Sequence, residues 1–196
     1  MAEDTTPAPA PVVSAEGLGL KTSRGWVFRD ISLAIHPGEL VAVTGHAGSG
    51  RSSLLLAIAG RFVTSQGKLH LPKKPHQNLA LGYVPGVHEP EPALTVAEHF
   101  AERRRLLGLR KVPMTNRTLG RELDPLERHM LCLDLALLGG PRLVVVDDVD
   151  AGLTLDEQAG LWHTLRAVAD RGTAVVAACR EATPEVHQTI TLAKEN

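Results

Sequence analysis

Gly45-His46-Ala47-Gly48-Ser49-Gly50-Arg51-Ser52 follows the apolar run Leu40-Val41-Ala42-Val43-Thr44 and leads into Ser53-Leu54-Leu55-Leu56-Ala57-Ile58-Ala59. The first flank predicts a buried strand and the second a helix. That strand–loop–helix setting separates a phosphate-binding loop from a chance Gly/Ser-rich turn. Such a loop needs glycines because successive backbone N–H groups must turn inward around phosphate oxygens, with unusual dihedrals and no side chains in the way. The following helix adds unpaired N–H groups and the positive end of its dipole. The residues expected to hold phosphate are Gly45, His46, Ala47, Gly48, Ser49, Gly50, Arg51, Ser52 and Ser53. Arg51, standing where such loops carry lysine, is expected to reach the outer phosphates, and the Ser52 hydroxyl to ligate Mg²⁺. The expected ligand is a nucleoside triphosphate.

Upstream, residues 14–20 and 27–35 read as strands joined by a turn at Ser23-Arg24-Gly25, and His36-Pro37-Gly38-Glu39 reads as a second turn. Downstream, residues 67–71 alternate as a short strand, Pro72-Lys73-Lys74-Pro75 breaks the chain, and 79–84 read as a buried strand. Residues 95–108 carry helical spacing through Val96, Phe100 and Leu107, while 109–123 are poorly patterned. Residues 126–138 read as a helix started by Asp124-Pro125. A helix over 155–170 and a strand over 173–179 complete an α/β alternation, which predicts a largely parallel sheet covered by helices.

The 196 residues suffice for one domain with a proper core. Aromatics make up 3%, so that core must rest on Leu, Val, Ile and Ala. A formal net charge of −1 argues against nucleic-acid binding through a general positive field, and no nucleic-acid partner is expected. Cys132 and Cys179 are too few for a disulfide framework and suit a reducing compartment. Residues 1–13 are expected to form a disordered tail, without the basic start and apolar stretch of a signal peptide. No apolar run approaches the ~18 residues needed to cross a bilayer. Any membrane role is therefore expected to come through a partner.

A second acidic element follows in Leu143-Val144-Val145-Val146-Asp147-Asp148. Parallel strands deliver their C-terminal residues to the sheet edge where ligands sit. Asp147 is expected to share the Mg²⁺ with Ser52, and Asp148 to polarise an attacking water. Alone, the stretch would read equally as a buried strand ending in a solvated acidic turn; the phosphate loop upstream favours the nucleotide reading.

With both elements placed, the chain resembles the ATP-binding cassette family, the ATPase subunits of ABC transporters, from about residue 14 to the end. The likeness lies in Phe28-Arg29-Asp30-Ile31-Ser32-Leu33-Ala34-Ile35-His36-Pro37-Gly38-Glu39 leading into residues 45–52. It returns in Leu94-Thr95-Val96-Ala97-Glu98, in Ala136-Leu137-Leu138-Gly139-Gly140-Pro141 and in Asp147-Asp148-Val149-Asp150-Ala151-Gly152-Leu153. The resemblance implies a P-loop NTPase of α/β class, with a mostly parallel core sheet, an N-terminal antiparallel β part and a shortened helical subdomain at about 87–138. It implies ATP and Mg²⁺ as cofactors, an integral membrane permease-like subunit as partner, and a second nucleotide-binding subunit beside it. The implied location is cytoplasmic, at the inner face of the cell membrane.

Departures from the family pattern bear on activity. Besides Arg51, the family's coupling glutamine falls on Gly86, and its LSGGQ signature on Leu123-Asp124-Pro125-Leu126-Glu127. Its catalytic glutamate becomes Asp148, its D-loop aspartate Thr154 and its switch histidine Arg180. The adenine-stacking aromatic expected near Thr22 is missing, with Trp26 as its replacement candidate. Pro125 removes an N–H, Leu126 adds bulk, and Asp124 and Glu127 bring negative charge towards the triphosphate of an opposing subunit. Two like charges ~4 Å apart repel by about 4 kcal/mol at an effective dielectric of about 20, which disfavours an ATP-sandwich homodimer. Asp148 withdraws its carboxylate by one methylene, and a misplacement of ~1 Å costs about a hundredfold in rate. Asp148 and Arg180 are thus the catalytic candidates of a site expected to bind ATP-Mg²⁺ and hydrolyse it slowly or not at all. The rival expectation is a soluble regulatory or scaffold protein that kept the fold.

Arg103-Arg104-Arg105 with Arg110-Lys111 forms a basic cluster. It reads either as a solvated helix face beside Glu98 and Glu102, or as part of a docking surface for the membrane partner. His129 and Cys132, one helical turn apart, do not by themselves make a zinc site.

Overall fold

The computed structural model describes residues 9–193. In chain order the first elements are β1 (Val13–Thr22), β2 (Gly25–Ile35), β3 (Leu40–Gly45), α1 (Arg51–Ile58), β4 (Gln66–His70), α2 (Pro75–Asn78) and β5 (Leu79–Leu81). They are followed by α3 (Val96–Leu106), α4 (Pro125–Leu137), β6 (Leu143–Val146), α5 (Leu155–Asp170), β7 (Ala174–Cys179) and β8 (Gln188–Leu192). A short 3₁₀ turn at Gly120–Glu122 precedes α4.

Two sheets result. An antiparallel sheet has the order β2-β1-β4, and a parallel sheet has the order β5-β6-β7-β3-β8. β6 and β7 are buried along their whole length, as expected of parallel strands covered on both faces. The two-residue period of β3 divides its side chains between two cores. Val41 and Val43 face Leu54, Leu55 and Ile58 of α1 together with Leu18 and Phe28 of the antiparallel sheet. Leu40 and Ala42 join Leu133 of α4 and Leu161, Trp162 and Leu165 of α5. Leu, Val and Ala thus carry the core, with few aromatic anchors.

A smaller cluster of Val96, Leu123, Leu131 and Leu135, with Phe100 against it, packs α3 on α4. α3 starts at a reciprocal capping box: the Glu98 N–H donates to Thr95 Oγ1 and the Thr95 N–H to Glu98 Oε2.

Several local expectations change. A four-residue helix, α2, forms where a break was expected, because Pro75 suits the first turn of a helix. β5 ends at Leu81; the chain then turns away, with Val84 bridging to His88 instead of extending the strand. β8 adds an edge strand beyond the expected elements, its alternation turning Ile190 and Leu192 inward. β1 begins at Val13, with Val12 and Val13 buried, one residue before the expected domain start. Of the expected tail, residues 1–8 lie outside the described residues. Among the described residues no helix is long and apolar enough to cross a membrane.

Candidate nucleotide-binding site

The residues singled out in sequence converge at the C-terminal edge of the parallel sheet, where β3, β7 and β6 end side by side. β3 runs into the loop at Gly45, whose φ is 149°. A Cβ there would lie 2.6 Å from Ser49 Oγ and 2.7 Å from the Leu192 carbonyl, so only glycine fits. Gly50 has φ 91°, and a Cβ on it would lie 2.7 Å from Val27 Cγ1 of β2. The loop is therefore pressed between the parallel sheet and β2. α1 starts directly after Gly50 with no side-chain cap, leaving its first-turn N–H groups open.

Two polar atoms in this cradle are buried without a partner, Ser49 Oγ and Arg51 Nη1. Buried polar atoms are nearly always satisfied, and both of these can donate to an oxygen that enters the loop. His46, Ala47 and Gly48 form the exposed rim. Across the loop, Asp147 is 2% exposed and accepts a hydrogen bond from the Ser52 hydroxyl. Burial raises its pKa above the usual carboxylate value, with the neighbouring Asp148 adding to the effect. Its position is fixed from behind, because the Asp147 N–H donates to the Tyr83 carbonyl at 2.8 Å. One hydroxyl and one carboxylate suit Mg²⁺, which keeps water and phosphate oxygens as most of its ligands. The donor set fits the ion.

Asp148 stands apart from a simple water-polarising carboxylate. Its backbone is left-handed at φ 47°, and its N–H donates to Asp147 Oδ1 at 2.9 Å. Its Oδ1 lies 3.7 Å from Arg51 Nη2, so the loop's cation is shared between the phosphate cradle and this carboxylate. Arg180 is not turned to the loop. Its N–H and Nε both donate to Asp150 Oδ2, at 2.9 and 3.0 Å, while its side chain stays 70% exposed. Sequence reading missed Asp150 as this clamp, since the partners lie on different segments and share no local pattern.

At the segment aligned with the family signature, Asp124 caps α4. Its Oδ1 accepts from the Glu127 N–H at 2.8 Å, and Glu127 Oε2 accepts from the Asp124 N–H at 3.0 Å. Pro125 occupies the first turn and packs near Gly152. The helix end is thus closed on itself. Gly86 sits in an exposed turn with φ 71°, its N–H donating to the Glu89 carboxylate. Trp26 rests over Gly19, with Lys21 Nζ 5.4 Å from its ring centroid; Gly50 meets Val27 and Phe28 instead.

Residues 28–151 match the family model described as ABC transporter. The zinc import ATP-binding protein ZnuC of Ruegeria pomeroyi is 31% identical over 178 residues, covering 85% of this chain and 68% of that protein. The ABC-type organic anion transporter ABCA8B of Mus musculus is 30% identical over 164 residues, which is 74% of this chain and 10% of that protein. The chain thus spans about a tenth of the length of the mouse relatives it matches. In fold, it resembles the ATP-binding subunit of an ABC transporter, with a TM-score of 0.75 at 17% identity over 93% of this chain and 86% of that one. A dimeric post-hydrolysis ATP-binding cassette bound to ADP and Pi gives 0.74 at 14% identity, over 93% and 94% of the two chains. The family match takes in the phosphate loop, α3, α4 and the acidic strand in one stretch, and this chain belongs to the ABC transporter family as one of its P-loop ATP-binding domains.

Proposed function

We propose that this chain binds ATP-Mg²⁺ through residues 45–53, hydrolyses it weakly or not at all, and serves as the ATP-binding subunit of a transporter-like membrane complex. The observation that carries the binding is the buried, unpartnered pair Ser49 Oγ and Arg51 Nη1 inside a glycine-bent loop. Ser52 and Asp147 would hold the Mg²⁺, whose charge offsets that of the triphosphate.

Weak hydrolysis is supported by what the remaining polar groups already do. Asp148 is drawn to Arg51, Arg180 is clamped by Asp150, and Gly86 offers no side chain where the family has a coupling glutamine. The α4 start spends its N–H groups and carboxylates on its own cap. The names of ZnuC, a zinc import ATP-binding protein, and ABCA8B, an organic anion transporter, support a role in transport. A permease-like integral membrane subunit and a second nucleotide-binding subunit at the inner membrane face are the partners such a role would need.

Calorimetric titration with Mg-ATP should release heat, and the ligand should raise Tm; at a hundred times its Kd it stabilises by about 2.7 kcal/mol. Gly50→Val, whose side chain would collide with Val27, should abolish both signals. No heat and no shift for the unaltered chain would overturn the binding reading and favour a scaffold protein that kept the fold.

A further inference from the structure

For a chain of net charge −1, the stretch from the end of α3 to the start of α4 is unlike its surroundings. Between Glu102 and Glu122 it holds Arg103, Arg104, Arg105, Arg110, Lys111, Arg117 and Arg121, and no acid. Interleaved with these are Leu106, Leu109, Val112 and Met114, exposed at 75, 40, 49 and 38%. Other exposed large apolar residues, Phe62, Val63, Val87 and Leu155, lie at separate places.

This segment is a built surface, not a loose arm. Gly108, at φ 66°, turns the chain at the end of α3. The Leu109 N–H donates to the Arg104 carbonyl and Arg104 Nε to the Arg110 carbonyl, each at 2.8 Å. At the far end, the Ala97 N–H donates to the Asn116 carbonyl and the Val96 N–H to the Thr118 carbonyl. The strip therefore runs back along α3, tied at both ends. Arg103 is committed inward, its Nε donating to the Leu135 carbonyl. Of the nearby acids, Glu98 holds the α3 cap, while Glu102 lines a groove shared with Arg103 and Leu106 and makes no salt bridge among the described residues. Among the described residues Arg105, Arg110 and Lys111 make no salt bridge.

We propose that residues 103–117 form a lipid-contacting surface, on which Arg105, Arg110 and Lys111 take anionic phospholipid headgroups while Leu106, Leu109, Val112 and Met114 enter the acyl boundary. Cations interleaved with exposed aliphatic side chains are the chemistry of an interfacial membrane contact. The helix dipole accounts for Arg103, Arg104 and Arg105 at the C-terminus of α3, but not for Arg110, Lys111 or the apolar residues. A single-stranded nucleic-acid surface would pair its cations with stacking aromatics, and the strip has no Phe, Tyr or Trp. The surface lies outside residues 45–53, so it stands or falls separately from nucleotide binding.

The test is sedimentation of the full chain with vesicles of phosphatidylcholine alone, or of phosphatidylcholine with phosphatidylserine. The chain should follow the serine-containing vesicles, less so as salt rises, and leave the neutral ones largely unbound. Each cation near an anionic leaflet is worth about fivefold in partitioning, so Arg105→Glu/Arg110→Glu/Lys111→Glu should cut binding about a hundredfold or more. Leu106→Ser/Val112→Ser, which keeps the charge, should cut it at least about tenfold. Both variants should keep the Tm of the parent chain and its response to Mg-ATP, which separates lost binding from lost folding. Failure of the parent chain to bind serine-containing vesicles, or equal binding by the charge-reversed variant, would overturn the proposal. So would capture only by vesicles that carry a membrane protein, or tighter binding to nucleic acid that both variants lose equally.

Discussion

Asp148, at φ 47° and 3.7 Å from Arg51, shows how one residue sets the character of the site. Left-handed backbone is tolerated by Asp and Asn far better than by most residues, so Asp148→Asn should keep the fold while removing the charge that competes for Arg51. Two charges at this distance attract by up to about 4 kcal/mol at an effective dielectric of about 20. Asp148 is more than a third exposed, so screening leaves about 1 kcal/mol. Asp148→Asn should therefore bind Mg-ATP about fivefold more tightly by calorimetry. Asp148→Glu should leave phosphate release near background, since Gly86, the self-capped start of α4 and the Arg180–Asp150 pair stay as they are and groups that act as a unit are not restored singly. Asp147 gives a pH signature. Its raised pKa means the cation-free fold keeps this proton to a higher pH than the unfolded chain does. That contribution to stability is present at low pH and lost as pH rises through the raised value. A divalent cation takes the ionised form, so apparent Mg²⁺ affinity should rise with pH and level off above the Asp147 pKa. Titrations at successive pH values check this, and Asp147→Asn should erase the dependence.

On the scale of elements, α4 carries two decisions. Its N-terminus is closed by the Asp124–Glu127 box, a local arrangement that the spacing D-P-L-E makes self-sufficient. Deeper in the same helix, His129 is 1% exposed, with neither ring nitrogen partnered, and its ring lies 4.6 Å from that of Tyr83. Burial lowers its pKa from the ordinary 6.5 to about 4. The fold holds His129 neutral, so its contribution is intact above the ordinary value and is lost as pH falls towards the lowered one. A shift of that size is worth about 3 kcal/mol. His129→Leu should thus flatten the acid limb, shrinking the stability lost between neutral and acid pH by up to about 3 kcal/mol in urea titrations.

For the whole molecule, the prediction concerns assembly. An ATP-bridged pair of copies would bring Asp124 and Glu127 of one towards the triphosphate of the other, and no uncapped N–H row at α4 offsets the repulsion. Sedimentation velocity should give the same species with and without Mg-ATP, and a clear ATP-induced dimer would contradict the reading. The basic strip along α3 belongs to the same scale, because it combines cations with exposed Leu106, Leu109, Val112 and Met114 outside the loop residues 45–53.

The α/β class, the phosphate loop and the acidic strand could all be read from residues alone, because each rests on a local pattern. A buried apolar run, glycines at φ-demanding positions and a carboxylate after the run all lie within a few residues of one another. The same held for the capped starts of α3 and α4, where side chain and backbone are three residues apart. What only the tertiary structure decided was which polar groups meet. The order β6-β7-β3 brings Asp148 to Arg51 and lets Asp150 seize Arg180, turning two apparent catalytic candidates into ion pairs. Nor did the sequence show that Ser49 Oγ and Arg51 Nη1 would be buried unpaired, or that Trp26 would lie beneath Lys21. Periodicity tells a residue which face it joins; it carries no term for the neighbour that the sheet's strand order will set against it.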